Sequence, residues 1–455
     1  MADLPREASV LEAQLASTGD LRKVASWRPL TGGRSATSVL VTFVGPNGTS
    51  RSVLHLQPNS GPLAGIADAR RQYRLLAALA ATSVPAPRPR KWFDSEVFGY
   101  PAFLTDFIEG DVPDPFRQSG RERIAQAREL LTDSILEHLV GVHSLPVQGL
   151  QPATAWPDPS QPFLQRERSR WAGAIATCGR FEHDPLLAYA DGWLAGRSHP
   201  TYVPALVHGD YRPGNLVLDG GEVVGVLDWE LADIGDAIYD LATLCSPPLE
   251  IDGFAAGLAD SETLVAKYES ISDSRVDRET FTTYSVLATF KILALWANAS
   301  RGVKANTADL SAVRAVYSAA MVRPMLARTL GLTFDTRYVD EVLRSVANEF
   351  RAGLPELPGT SHPRSYSLAL GILDGRARMR PAFREETLSA IRELLREFRK
   401  VSEFGAGDHD LALLPVAARS IASGDRVPDR SRRDLEEQLR AVLGLVVSDS
   451  VDPFA

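Results

Sequence analysis

The chain has 455 residues, 44% hydrophobic and 23% charged, the composition of an ordinary globular protein with length for about three domains. Its formal net charge of −8 argues against nucleic acid or an anionic membrane surface as a partner. Only two cysteines occur, Cys178 and Cys245, with no C-x-x-C pair, which argues against a disulfide framework or a cysteine zinc site.

Taken in order, residues 1–20 carry Leu4, Val10, Leu11 and Leu15 at roughly helical spacing. The opening Met1-Ala-Asp-Leu-Pro-Arg lacks the basic-then-apolar order of a secretory signal, and no apolar run of about 18 residues occurs, so a cytoplasmic location is expected. Three strands follow, Val24–Leu30, Ser38–Val44 and Ser50–Leu56, with Gly45-Pro46-Asn47-Gly48 turning the second into the third. Between the first two, Thr31-Gly32-Gly33-Arg34-Ser35 either lets backbone N–H groups approach phosphate oxygens or simply makes a tight turn. A helix is expected over Asp68–Leu76, an extended run over Val84-Pro-Ala-Pro-Arg-Pro, and a strand pair over Val97–Phe107 with its turn at Gly99-Tyr-Pro101. Gly120–His143 reads as one helix with Ile124, Leu130, Leu131, Ile135, Leu136, Leu139 and Val142 on its apolar face, and its His138 and His143 as core or surface side chains. Residues 146–162 are a proline-rich loop; helices follow over Phe163–Cys178 and Asp184–Ser198, and an amphipathic one over Val286–Ala299 that carries Lys291, Trp296 and Asn298. Residues 353–364 are rich in proline and glycine, and the apolar-periodic stretches Tyr366–Leu373, Glu385–Phe398, Leu411–Ile421 and Asp434–Leu443 predict a closing helical bundle.

The most informative stretch is Leu206–Leu241. Asp219-Gly220-Gly221 between the apolar runs Leu216–Leu218 and Val223–Leu227 predicts a hairpin. Cross-strand neighbours lie about 5 Å apart, so the hairpin's open end brings Asn215 and Asp228 together. Hard oxygen ligands converging at one point suit Mg²⁺, which fills the rest of its shell with waters and substrate phosphates. Asp210, in the tight His208-Gly209-Asp210 turn five residues before Asn215, is placed to accept a proton from a hydroxyl nucleophile. His208 is expected to fix the loop through its ring. Arg212 either pairs with Asp236 or Asp240 or meets a phosphate or substrate carboxylate. Glu230 binds a second metal, binds a substrate or faces solvent, and Asp240 caps the helix that starts at Leu241.

The run His208-Gly-Asp210-Tyr-Arg212-Pro-Gly214-Asn215, with Asp228-Trp229-Glu230, Gly235-Asp236 and Tyr239-Asp240-Leu241-Ala242 after it, resembles the aminoglycoside phosphotransferase and choline kinase superfamily. Its Asp-to-Asn spacing of five matches the protein-kinase catalytic loop. The resemblance covers roughly residues 20–345, and Leu-Thr-Gly-Gly, Tyr-Arg-Pro-Gly-Asn and Asp-Trp-Glu are most similar to the branch fused to acyl-CoA dehydrogenases. It implies an α+β, two-lobed protein-kinase-like fold: a small antiparallel sheet lobe over 1–108 and a larger helical lobe over 109–350, then the linker 351–364 and a helical accessory domain over 365–455. It implies transfer of the γ-phosphoryl group of ATP, or GTP, to the hydroxyl of a small molecule, with Asp210 as base, Arg212 beside it, and Asn215 and Asp228 holding Mg²⁺. Gly32, Gly33 and Ser35 would meet the phosphates, and backbone groups of Asp106 to Ile108, in the segment joining the lobes, the base. His55 and Gln72 stand where the family has a basic residue and its glutamate partner, a departure that Arg70 or Arg71 could offset. Glu230, Trp296 and Arg301 are candidates for the acceptor side. No nucleic acid or membrane partner is implied, and the closing helices would pack on the rest, dimerise or dock a partner. The alternative is a catalytically weak or inactive kinase-like binding module.

Overall fold

The computed structural model describes residues 4–30, 37–46, 48–57, 63–150, 161–177, 184–198, 201–299, 322–333, 390, 393–395, 410–423, 427 and 429–451. Gly32, Gly33, Ser35, Arg301, the linker 351–364 and the expected helix 366–373 lie outside them. Contacts divide the chain into two units, Met1–Phe163 with Thr201–Phe281, and Leu164–Pro200 with Thr282–Ala455. The fold is α+β, with an antiparallel sheet at the amino-terminal end and a mainly helical remainder.

In the first unit the three expected strands form as β1 (Lys23–Pro29), β2 (Thr37–Gly45) and β3 (Gly48–Leu56). With β4 (Pro89–Phe93) and β5 (Ala102–Asp106) they make one sheet in the order β1-β2-β3-β5-β4. Strand alternation sorts the side chains. Leu54, Leu56, Ala102 and Leu104 join the core under α1 (Arg6–Ala16), which buries Ala8, Leu11 and Leu15. Phe103 joins the core on the other face, with Leu75, Leu76 and Leu79 of α2 (Ala69–Leu79). Each such aliphatic side chain removed from water contributes about 1.5–3 kcal/mol. Asp68 caps α2, its carboxylate accepting from Arg70 N at 2.9 Å and Arg71 N at 3.2 Å.

Several expected elements differ. The partner of β5 is β4, not residues near Val97; Ser95–Phe98 form one helical turn, α3, ended by Gly99 at φ +83°. The single helix expected over 120–143 is two, α4 (Gln118–Gln126) and α5 (Arg128–His143), because Ala127 at φ −133° breaks the helical path. Leu130, expected on the apolar face, is 52% exposed. The segment after β5 instead clamps the Leu216–Val226 hairpin: Asp111 and Leu218 exchange two backbone hydrogen bonds of 2.9 and 2.8 Å.

In the second unit α6 (Phe163–Ala176) and α7 (Pro185–Ala195) appear where expected, α7 with Asp184 as its cap. The buried Asp191 of α7 pairs with Arg168 at 2.6 Å and with Arg419 at 3.1 Å. Arg419 belongs to α11 (Asp410–Ser423), which packs so closely on α7 that a Cβ at Gly192 would lie 2.4 Å from the Arg419 carbonyl oxygen. Arg440 of α12 (Asp429–Val451) donates to Tyr189 Oη at 2.9 Å. The helix expected at 286 begins earlier, as α10 (Arg278–Ala299), and it is not amphipathic: Thr283, Ser285, Thr289, Lys291 and Asn298 are all buried. Of the expected helix 385–398, only residues 390 and 393–395 are described, and they are helical. No described helix is long and apolar enough to cross a membrane.

Gly110 lets the post-β5 segment reach the hairpin. Its φ is +138°, and a Cβ there would sit 2.4 Å from Leu218 O. Gly110→Ala should therefore destabilise the fold by about 2 kcal/mol or more. Gly141→Ala, inside α5 with open space around it, should be neutral or stabilise by up to about 1 kcal/mol. Urea midpoints of the two variants check this; equal shifts would mean that the Asp111–Leu218 approach is not tight.

Candidate active site

The site is built on a strand, a turn and a hairpin, all in the first unit. β6 (Ala205–Val207) pairs with β9 (Asp233–Gly235), and the chain leaves β6 into His208-Gly209-Asp210. Gly209 sits at φ +81°, and a Cβ there would lie 2.6 Å from Leu231 O, so the turn requires glycine. His208 N and Gly209 N donate to the two carboxylate oxygens of Asp240, at 2.6 and 2.8 Å. Asp240 lies inside α8 (Ile238–Leu244) and is fully buried. This corrects the expectation that it caps the helix: its carboxylate serves the His208–Asp210 turn, and Asp236 accepts from Ile238 N. Burial pushes the Asp240 carboxyl up, but the hydrogen bonds that it accepts from His143 and from the His208 backbone outweigh it, so it lies below the usual value.

The His208 ring does fix the loop, as expected. Its Nδ1 accepts from Asp210 N at 3.2 Å, so Nε2 carries the proton and donates to Leu227 O at 2.7 Å. One imidazole thus joins the turn to Leu227, which lies between the strand ending at Val226 and Asp228.

Asp210 is held on both sides. Asn215 Nδ2 donates to the Asp210 carbonyl at 2.8 Å and to Oδ2 at 2.9 Å, and Arg212 Nε donates to the same Oδ2 at 3.2 Å. Arg212 therefore pairs with Asp210, not with Asp236 or Asp240 as one expected alternative had it. Burial alone would lower the Arg212 pKa, but the charges of Asp210, Asp114 and Asp228 raise it, so the guanidinium stays charged. The hairpin is the expected one, β7 (Leu216–Asp219) and β8 (Glu222–Val226), with both central glycines at positive φ. Its open end is closed by Leu227 N donating to Asn215 O at 2.8 Å.

Asp228 follows at φ 66°, ψ 52°, a left-handed conformation that costs a non-glycine residue about 1–3 kcal/mol and is typical of functional sites. Its carboxyl is pushed up, first by burial and then by the charge of Asp210; Arg212, His208 and a hydrogen bond with Glu230 work the other way. Asp228 feels the charge of Asp210, whose carboxylate Asn215 holds, so hard-oxygen side chains and negative charge gather at one place, and this donor set fits Mg²⁺. Among the described residues no cluster of three or more His, Cys, Asp or Glu side chains forms a complete metal cage. A magnesium ion here would take two protein ligands, Asn215 and Asp228. Glu230 lies in the turn Trp229–Leu231, beside Asp228.

The expected nucleotide residues are partly redistributed. His55 stacks on Phe103 at 4.6 Å, its Nε2 lies 3.2 Å from Thr105 Oγ1, and burial lowers its pKa to about 4, so the ring is neutral. Its hydrogen-bond partners are Thr105 and Ser38, not Gln72. Arg71 reaches Ala232 O at 2.5 Å and Asp233 at 3.5 Å, and Arg70 lies over the Trp92 ring at 4.5 Å. Both arginines are thus already engaged. The Asp106 N–H, expected to meet a base, donates to Arg88 O at 2.9 Å within the sheet, while its carboxylate takes Arg90 Nε at 2.6 Å. The Ile108 side chain lies against Gly225 of the hairpin. Trp296 is partly buried on α10, in the second unit. Sequence reasoning missed the grip of Asp240 on the turn, the tie of Arg71 to the Asp233 segment and the proximity of Asp114. The partners lie up to 161 residues apart and leave no local pattern.

Residues 26–271 match the sequence profile of the phosphotransferase enzyme family, APH. The chain is 27% identical over 201 residues to acyl-CoA dehydrogenase family member 10 of Mus musculus, covering 42% of this chain and 18% of that protein. Over 327 residues it is 24% identical to the Arabidopsis thaliana protein named "Probable acyl-CoA dehydrogenase IBR3", covering 63% of this chain and 38% of that one. It therefore spans well under half the length of these relatives. A crystal structure of a candidate aminoglycoside phosphotransferase from Ralstonia eutropha aligns at a TM-score of 0.50 and 22% identity, over 70% of this chain and 95% of that one. That likeness is one of fold, and the fold is kinase-like. The matched span is more than half of the chain and holds the whole stretch from His208 to Glu230, so the protein belongs to the phosphotransferase enzyme family.

Proposed function

We propose that the protein is an ATP- and Mg²⁺-dependent phosphotransferase that moves the γ-phosphoryl group to a hydroxyl of a small molecule. The observation that carries this reading is the constraint on Asp210, whose carboxylate is fixed by Asn215 and Arg212 beside Asp228. Asp210 orients the acceptor hydroxyl and takes its proton as the hydroxyl oxygen bonds to the γ-phosphorus; the bond from that phosphorus to the β-γ bridging oxygen breaks, and ADP leaves. Such transfer depends on alignment more than on a strong base. Arg212 keeps a positive charge next to the reacting oxygens. Asn215 and Asp228 would hold the magnesium ion, which supplies neutralisation of the phosphate charge. The candidate acceptors are hydroxyacyl compounds, sugars and amino alcohols, each of which offers the hydroxyl that the reaction requires.

A second reading, a kinase-like module that binds but transfers poorly, is favoured by the neutral His55 and its separation from Gln72. Three measurements decide between them. MgATP at about 100 times its Kd should add about 2.7 kcal/mol, raising the melting temperature by a few degrees, and Asp228→Ala should abolish the shift. No metal-dependent shift at millimolar MgATP would end the enzyme reading. Asp210→Asn should keep the MgATP shift yet lower transfer by about 10²–10⁴-fold; a variant as active as the parent would remove Asp210 from its role. Finally, the folded-state pKa of His55 lies below its unfolded value, so its contribution to stability is complete above pH 6.5 and lost as pH falls towards 4. An NMR titration of the ring should give a midpoint near 4, and nucleotide affinity should not rise between pH 8 and pH 6 on account of this residue.

A further inference from the structure

Asp240 has a third partner besides the two backbone amides of the catalytic turn. His143 ends α5, 97 residues earlier in the chain, and its Nε2 lies 3.2 Å from the same Asp240 oxygen that accepts from His208 N. Its other ring nitrogen, Nδ1, lies 2.8 Å from Tyr268 Oη, on α9 (Ser261–Ser272). With Asp240 acting only as acceptor, Nε2 carries the ring proton, so Nδ1 accepts the tyrosine hydroxyl proton. The two rings meet edge to face at 5.9 Å and 66°. All three side chains are shut away from water, His143 at 6% and Asp240 at 0% exposure, with Tyr268 likewise buried.

We propose that His143, seated by Tyr268, is a positioning residue for phosphoryl transfer: it fixes the rotation of the Asp240 carboxylate and thereby the backbone from which Asp210 projects. The proposal rests on the phosphotransferase reading of Asp210. A carboxylate can turn about its Cβ–Cγ bond, and a turn would misdirect both acceptors. His143 bonds one of the two oxygens from outside the turn, and this leaves Oδ1 for Gly209 N at 2.8 Å. Tyr268 in turn fixes the plane of the imidazole. Two helices thereby set the position of a turn that neither of them adjoins in sequence. A misplacement of about 1 Å at a reacting group can cost about 10²-fold in rate.

The test compares the parent protein with His143→Leu, His143→Gln and Tyr268→Phe by hydrogen exchange and by turnover of MgATP to ADP. In His143→Leu, the amides of His208 and Gly209 should exchange at least about ten-fold faster, without matching changes across α5 and α9. Turnover should fall about 10- to 100-fold while the Kd for MgATP stays within about two-fold. Gln places an amide nitrogen near the Nε2 position and should restore most of both losses. Tyr268→Phe should show a smaller loss, about three- to ten-fold, and adding it to His143→Leu should cost nothing further, because the two act in one chain. It also carries the test should His143→Leu fail to fold. Unchanged exchange at His208 and Gly209, exchange raised equally throughout α5 and α9, or a Gln variant as impaired as Leu would each overturn the proposal. If exchange responds as expected but the parent protein turns over no MgATP, the anchoring stands and the phosphotransferase reading fails.

Discussion

The site depends on one buried anion. Asp240 is fully buried, and an unpaired carboxylate in that position would cost several kcal/mol. Three donors compensate it: two successive backbone N–H groups and an imidazole. This pairing fixes the turn, because two adjacent amides can point at one carboxylate only in a tight bend. Gly209 meets that demand by adopting a left-handed φ with Leu231 O where a side chain would begin. Asp210 leaves the bend in a set direction, and the His208 ring carries the same constraint across to Leu227, one residue before Asp228. Asp210 and Asp228 are therefore registered to each other through the turn and the His208 ring.

The amino-terminal sheet is tied to this centre by a route of its own. In place of a charged pair between β3 and α2, the neutral His55 stacks on Phe103 and bonds Thr105, and Gln57 of the segment after β3 accepts from Ala69 N at 2.7 Å. The charge on α2 is used elsewhere: Arg71 spans to Ala232 O and Asp233, at the start of β9. Helix α2 is thus fastened to the segment beyond Asp228 instead of to β3 through a charged pair. The apolar core follows the same route, running without interruption from Leu75 and Leu79 through Phe103 and Ile135 to Leu216 and Trp229.

Most local structure was legible in the sequence, because local structure has a local cause. The period-2 apolar runs gave β1, β2 and β3 within about two residues, and Gly220-Gly221 gave the β7–β8 hairpin. The failures share one feature, which is that a distant partner decided. Val97–Phe98 contain good strand residues, but β5 already had its neighbours in β3 and β4, and Gly99 ended a helical turn instead. Ala127 breaks a stretch whose apolar spacing suggested a single helix. The helix from Arg278 to Ala299 buries Lys291 and Asn298, polar residues that a surface helix would turn outward.

By itself the sequence determined the identity and spacing of the candidate site residues. Asp210, Asn215 and Asp228 lie on one turn and one hairpin, and chain geometry over so short a span leaves little freedom about where they meet. Tertiary structure alone decided which charges hold which groups. Arg212 could face several carboxylates on sequence grounds and takes Asp210; Asp240 could cap its own helix and instead holds the His208–Asp210 turn; His143 meets Asp240 on one side and Tyr268 on the other. The physical reason is that a hydrogen bond or ion pair in the interior is set by the direction of approach of elements far apart in the chain. Their approach depends on the packing of whole helices and sheets, and no window of the sequence records it.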